Sequence, residues 1–305
     1  MGEAKLKVQV LSHTPDFERN IARAGKLCYS SSGITELNDN LTDEEVTRYL
    51  NMILNVKHFS VLEHGTITFG IEGISRTSAN QLVRHRIASY SQQSQRYVSA
   101  NSFSYVVPQD IKNNPQAHTL FTNAMEVAQQ NYNAISEALM EQYIIEYLGV
   151  EDKSTGMKYL EEELKKDTEL WEDIGVDVLR GYVNLQAMFR YYDKKTYNVL
   201  TKRANENARA VLPNATETKI VVTMNVRALF NFFKERLCMR AQDEIREMAF
   251  EMWKCCMQIS PTIFKYAVPT CVNGKCKEGK MSCGKMLEVK DRYNTEIQKQ
   301  TKGEQ

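Results

Sequence analysis

What most constrains this chain is the order in which two periodicities follow each other. Residues 5–11, KLKVQVL, alternate polar and apolar and read as a strand. DFERNIARAGKLCYS then puts Phe17, Ile21 and Ala24 on one helical face. LTDEEVTRYLNMIL opens with a capping box, Thr42 and Glu45, and continues with Val46, Tyr49, Leu50 and Ile53 at helical spacing. GTITFGIEG returns to period two, with Ile67, Phe69 and Ile71 on one side. A short helix over 76–83 follows. FSYVVP is expected to be another strand, stopped by Pro108, and a long helix is expected from Pro115 to Tyr143.

Residues 145–203 change character. They are rich in Glu, Lys and Tyr, as in YLEEELKKDTELWEDI, and read as helices whose charged run 161–167 is a solvated face. The core pattern resumes with a buried strand at Ile220–Met224 and a helix at Val226–Leu237. The next helix carries Ile245, Met248, Ala249, Met252, Trp253 and Cys256 on one face, a core stripe. No regular strand-helix-strand alternation runs through the chain. The fold class that follows is α+β, with a central, mostly antiparallel sheet flanked by helices and a helical insertion. The expected organisation is a domain over 1–268, with the insertion at about 145–203, and a Cys-, Lys- and Gly-rich, extended tail over 269–305.

Charge is distributed unevenly. The chain of 305 residues carries a formal net charge of +1, yet no Asp or Glu lies between Glu72 and Asp110. Within that span RHRIASYSQQSQRY, residues 84–97, holds three arginines and a histidine. A near-neutral chain lacks the global basic excess of a general nucleic-acid or membrane binder. The local excess therefore points to a small anion. No stretch approaches the roughly 20 apolar residues that cross a bilayer. The N-terminus shows neither an apolar leader run nor a myristoylation pattern. The reading is a cytoplasmic protein with reduced thiols.

Neither G-x-G-x-x-G nor the Walker phosphate loop occurs, so phosphate would be held by side chains. Arg suits this because its planar fork grips phosphate oxygens bidentately. Ser and Gln add neutral donors. The plain alternative is a solvated surface loop, which the absence of acids over so long a span disfavours.

This segment closely resembles the signature of the flavin-dependent thymidylate synthases: R-H-R, a spacer, then S-x-R-Y. HFSVLEH upstream resembles the His-rich segment of that family. ARAVLPNATETKIVVTMNVRALFNFFKERLCMRAQDEI downstream resembles its second half almost without a gap. The resemblance covers most of 5–145 and 204–266.

It implies conversion of dUMP to dTMP with methylenetetrahydrofolate as one-carbon donor, and with FAD, reduced by NADPH, as hydride source. It also implies a homotetramer with active sites shared between subunits. By the same resemblance Ser60, Arg84, His85, Arg86, Gln92, Asn225, Val226, Arg227 and Asn231 fall at FAD positions. His58 stands beside that flavin segment. Gln81, Leu82, Val83, Arg84, Gln92, Gln93, Ser94, Gln95, Arg96, Arg209 and Arg236 fall at dUMP positions, with Arg236 as the activating arginine. Gln92 stands where some members carry Glu, keeping the shape and dropping the charge. Two anionic ligands need two sets of cations. At about 100° per residue, Arg227, Asn231 and Lys234 share one helix face while Arg236 lies nearly opposite.

Ser94 is read as a phosphate ligand rather than a nucleophile, because a nucleophilic serine needs a neighbouring base. No cysteine lies in the basic segment, so Cys-based catalysis is not supported. Cys238 reads as core. His58 and His64 read as structural. Cys271, Cys276 and Cys283, at spacings that leave a tetrahedral site one ligand short, are not read as a metal site. Two other functions compete. An RNA- or DNA-binding module would use Tyr90 and Tyr97 as stacking platforms. A different flavoprotein oxidoreductase would keep the flavin and lose the dUMP chemistry.

Overall fold

The computed structural model describes residues 1–31, 33–39, 41–181 and 183–302. The first part runs β1 (Gly2–Glu3), β2 (Lys7–His13), α1 (Phe17–Leu27), α2 (Ile34–Asp39), α3 (Asp43–Asn55), β3 (Thr66–Ser75), α4 (Arg76–Leu82), β4 (Ser89–Gln92) and β5 (Ser104–Tyr105). The helices α5 (Gln109–Lys112), α6 (Pro115–Leu148), α7 (Lys153–Leu164), α8 (Thr168–Leu179), α9 (Leu185–Tyr192) and α10 (Lys194–Ala208) follow. The chain closes with β6 (Glu217–Asn225), α11 (Val226–Arg236), α12 (Asp243–Ile259), α13 (Pro261–Phe264) and α14 (Met286–Lys302). The chain divides into two compact units. A sheet unit comprises 2–92, 104–112 and the chain from Ala215 on; a helical unit comprises Met1, 93–103 and 113–214.

In the sheet unit four strands pair in the order β2-β3-β6-β4, antiparallel throughout. Phe69 on β3 sits opposite Val222 on β6, and Ile71 opposite Ile220. These side chains share one face with Ile67 and Met224, and all six are buried. That face packs on α11 and α12 through residues such as Leu229, Phe232, Met248, Met252 and Trp253. The α+β class expected from the sequence is the one observed. The period-two strand at β6 is buried on alternate residues, with Val221 outward, so it is half-buried rather than fully buried. The register of β3 shifts between Ile71 and Ile74. There Gly73 has φ +72°, and a Cβ would lie 2.0 Å from the Lys5 carbonyl oxygen. Only glycine fits that bulge. The Thr42–Glu45 capping box is present as read from the sequence.

Three elements differ from expectation. FSYVVP holds only a two-residue strand, β5, paired in parallel with β1. The basic segment, expected from the sequence to be a loop after the helix over 76–83, holds the strand β4, which pairs with β6. The tail is not extended throughout: Met286–Lys302 is a helix, with Val289 and Tyr293 buried in the core of the sheet unit. Val289, Tyr293 and Ile297 repeat every fourth residue, an apolar stripe hidden among Lys and Glu.

The helical unit has its own core. Met140, Tyr143 and Ile144 of α6 pack with Leu160 and Leu164 of α7, Leu185, Met188 and Phe189 of α9, and Ala204 of α10. The change of character near residue 145 falls inside α6, which runs on to Leu148 and ends at Gly149 in the left-handed region. The charged run is a solvated face with Lys165–Glu161 and Lys166–Glu163 pairs, as expected.

Candidate active site

Two strands feed directly into helices, and the junctions place the site residues. Ser75 ends β3 and caps α4, its Oγ accepting from Ser78 N at 3.0 Å. Asn225 ends β6 and caps α11, its Oδ1 accepting from Ala228 N at 2.8 Å. Capping satisfies backbone donors that would otherwise stay unpaired. Because β3 and β6 are antiparallel, α4 and α11 start from opposite ends of the sheet. The C-terminal end of α11 meets the turn that follows α4, where Arg236 Nε donates to His85 Nε2 at 3.0 Å.

Around that contact the chain is tightly tied. Tyr90 on β4 donates its hydroxyl to the carbonyls of His85, at 2.7 Å, and Leu82, at 2.9 Å. Burial pushes the Tyr90 phenol up to about 12. The His85 ring stands edge-on to Phe232 at 5.0 Å. Burial, and then the Arg236 charge, hold the His85 pKa below its ordinary value, with Glu235 opposing. Gln81 donates to Gln242 Oε1 at 2.5 Å. Arg84 and Arg86 are exposed, and among the described residues neither has an ion-pair partner. Unneutralised arginines of this kind fit an anionic cofactor such as FAD.

Other flavin positions are placed less uniformly. Ser60 is exposed on a short 3-10 turn, Phe59–His64. Asn231 is exposed on α11. Arg227 is paired with Glu63 at 2.6 Å. Val226 is fully buried and spends its backbone N–H on Gly65 O, at 2.9 Å. Leu82 is likewise buried, so any ligand contact falls to its backbone. Val83 is exposed. Gln92 turns its amide to Thr218 Oγ1, at 3.2 Å. The His58 ring is bonded to the Tyr29 hydroxyl at 3.2 Å.

The chain passes from the sheet unit to the helical unit between Gln92 and Gln93. In the helical unit, Gln129 and Tyr132 of α6 pin the segment that follows. Gln129 accepts from Phe103 N at 2.8 Å and donates to Ala100 O at 2.7 Å; the Tyr132 hydroxyl accepts from Ala100 N at 3.1 Å. Ser94 Oγ accepts from Arg96 N at 3.2 Å, a local turn that commits one lone pair and leaves the hydroxyl proton free to donate. Gln93 is exposed and Gln95 half-buried. Arg96 Nη2 pairs with Glu206 on α10 at 3.0 Å, while its Nε is buried with no hydrogen-bond partner. Such an orphaned donor fits an anion. Arg209 follows Glu206 by one turn and has no ion-pair partner among the described residues. Lys202 bonds the Tyr97 hydroxyl at 2.8 Å and holds that phenol's pKa down.

Glu206, Glu63 and Gln242 were not singled out from the sequence, and Tyr90 was read there only as a stacking platform for nucleic acid. Only Glu206, one helical turn before Arg209, carried a readable signal. Cys238 is partly exposed rather than core, and lines one pocket with Cys271, Cys276 and Cys283. Among the described residues no group of three or more His, Cys, Asp or Glu is arranged to hold a metal ion. No described helix is long and apolar enough to cross a membrane.

A family model described as "Thymidylate synthase complementing protein" matches residues 9–262. A flavin-dependent thymidylate synthase of Clostridium tetani is 42% identical over 288 residues, covering 94% of this chain and 97% of the relative. The chain belongs to the flavin-dependent thymidylate synthase family. A second such relative, from Geobacter sulfurreducens, is 41% identical and covers 93% of this chain and 97% of its own. The fold is also similar to a crystal structure of a UMP/dUMP methylase from Streptomyces cacaoi bound with 5-Br dUMP. That similarity has a TM-score of 0.56 at 18% identity, covering 87% of this chain and 95% of the other. The flavin-dependent thymidylate synthase match spans both units, because residues 9–262 include the insertion as well as the sheet.

Proposed function

We propose that this chain reductively methylates dUMP to dTMP, with methylenetetrahydrofolate as one-carbon donor. FAD, reduced by NADPH, supplies the hydride when bound. The observation that carries the reading is Arg236, a cation at the end of α11 whose side-chain partner is the His85 ring rather than a carboxylate. Hydride attack on the uracil ring would build up negative charge on the ring. A fixed guanidinium at the imide edge would stabilise it, an effect worth about 2.7–4 kcal/mol for preorganised donors in other enzymes. Ser94, Arg96 and Arg209 are assigned to the dUMP phosphate; the orphaned Nε of Arg96 supports this. Arg84, Arg86, Arg227 and Asn231 are assigned to FAD, with Arg84 also near dUMP. The assembly is a cytoplasmic homotetramer, which light scattering checks directly.

The deciding assay is dTMP formation from dUMP with methylenetetrahydrofolate, FAD and NADPH supplied. Purified protein should be yellow and should form dTMP. Yellow protein without dTMP would favour an oxidoreductase acting on another nucleotide-like substrate, and colourless protein would favour the nucleic-acid reading.

A further inference from the structure

We infer that His85 is a positioning residue for Arg236, held neutral with its proton on Nδ1 so that Nε2 can accept from the guanidinium. This rests on the reading of Arg236 as ring activator. A guanidinium has five N–H donors and no acceptor. At 3.0 Å from Arg236 Nε, His85 Nε2 must be the acceptor and must carry no proton. The tautomer follows from that geometry alone.

The surroundings favour a neutral ring, and neighbouring elements fix the backbone that carries it. From α11, Phe232 packs edge-on at 5.0 Å, and Arg236 adds a like charge against protonation. Glu235, on the same helix, pulls the other way and is the weakest of the three influences. From β4, Tyr90 clamps the His85 carbonyl. From the end of α4, Leu82 O accepts from His85 N at 3.1 Å. Arg84 and Arg86 flank it in sequence and add no acid. The consequence for Arg236 is specific. A carboxylate partner would hold the guanidinium but cancel its charge. A neutral imidazole holds Nε while leaving that charge intact, and it leaves the two coplanar terminal NH2 groups to face a ligand. Nδ1–H remains available as a donor, so a flavin contact by the same ring is compatible.

Protonation of His85 would remove the acceptor and set a cation beside a cation, so turnover should fall on the acid side. The experiment compares wild type, His85→Gln and His85→Phe at saturating FAD and dUMP. It measures kcat and KM across pH, flavin absorbance, and the 15N shifts of the His85 ring nitrogens. Gln can accept through Oε1 and does not titrate; Phe keeps ring bulk without an acceptor. His85→Phe should lose about tenfold or more in kcat, the scale of one charge-assisted hydrogen bond, with little change in the KM for dUMP. His85→Gln should recover most of kcat and lack the acid limb. The ring nitrogens of wild type at neutral pH should report a neutral Nδ1–H form. Wild-type kcat in His85→Phe, an acid limb that persists in His85→Gln, or a ring protonated on Nε2 would each overturn the inference. If Arg236→Lys turned over like wild type, ring activation would fail, and the nitrogen shifts would still decide the tautomer.

Discussion

Glu206 Oε2 stands 3.0 Å from Arg96 Nη2, within reach of the same guanidinium whose Nε is buried and unpartnered. Arg96 is thus held by one edge and unsatisfied at another. Arg236 is held by the His85 ring. The two arginines are poised for different tasks, one to grip an anion and one to meet developing charge.

That division predicts different losses. Arg96→Lys should raise the KM for dUMP, by about tenfold or more for a lost bidentate charged contact, and saturating dUMP should restore turnover. Arg236→Lys should keep its flavin while kcat falls sharply at any dUMP concentration. Steady-state dTMP formation by both variants is the measurement. Equal rescue of both by dUMP would remove the distinction.

Arg227 pairs with Glu63, and both side chains are largely exposed. Such a surface pair contributes little to stability. Arg227→Ala should therefore melt like wild type yet bind flavin about tenfold or more weakly. Absorbance after extensive dialysis reads this out, and a fully yellow variant would show that Arg227 does not hold the flavin.

Tyr293 of α14 lies edge-on to Trp253, with centroids 5.5 Å apart, and is 2% exposed. Tyr293→Ala should cost about 3–5 kcal/mol, the range for removing a large buried aromatic. Chemical denaturation measures it. A loss below about 1 kcal/mol would mean that α14 is not part of the sheet unit's core.

The Tyr90 phenol, raised to about 12 by burial, donates to two carbonyls beside Arg236's partner. In the unfolded chain it would ionise near pH 10. Its contribution to stability is whole below that pH and is lost as pH rises toward the folded value. Tyr90→Phe should lower stability at pH 7 by about 0.5–1.5 kcal/mol. The gap between the two proteins' denaturation curves should narrow from pH 10 upward, and a constant gap would rule out the phenol as its source.

The sequence alone settled what depends on local pattern. Period two at Ile67, Phe69 and Ile71 and helical spacing at Ile245, Met248 and Met252 determined strand and helix, because burial of one face requires those repeats. The acid-free span determined that Arg84, Arg86 and Arg96 would stand in one stretch without neighbours in sequence to neutralise them. What the pattern could not carry was pairing between residues far apart. Arg236 and His85 are separated by 151 positions, and Tyr90 reached its two carbonyls only because β4 returns along β6. The helical tail was obscured because Val289 and Tyr293 sit among charged residues, and only the Trp253 surface they cover makes them core. Glu206 entered the site for the same reason: an acid on a helix becomes a partner for Arg96 only when α6 and α10 fix where the segment 93–103 lies. Periodicity specifies a face, whereas the neighbour across it is chosen by packing and hydrogen bonding between elements that the chain brings together only when folded.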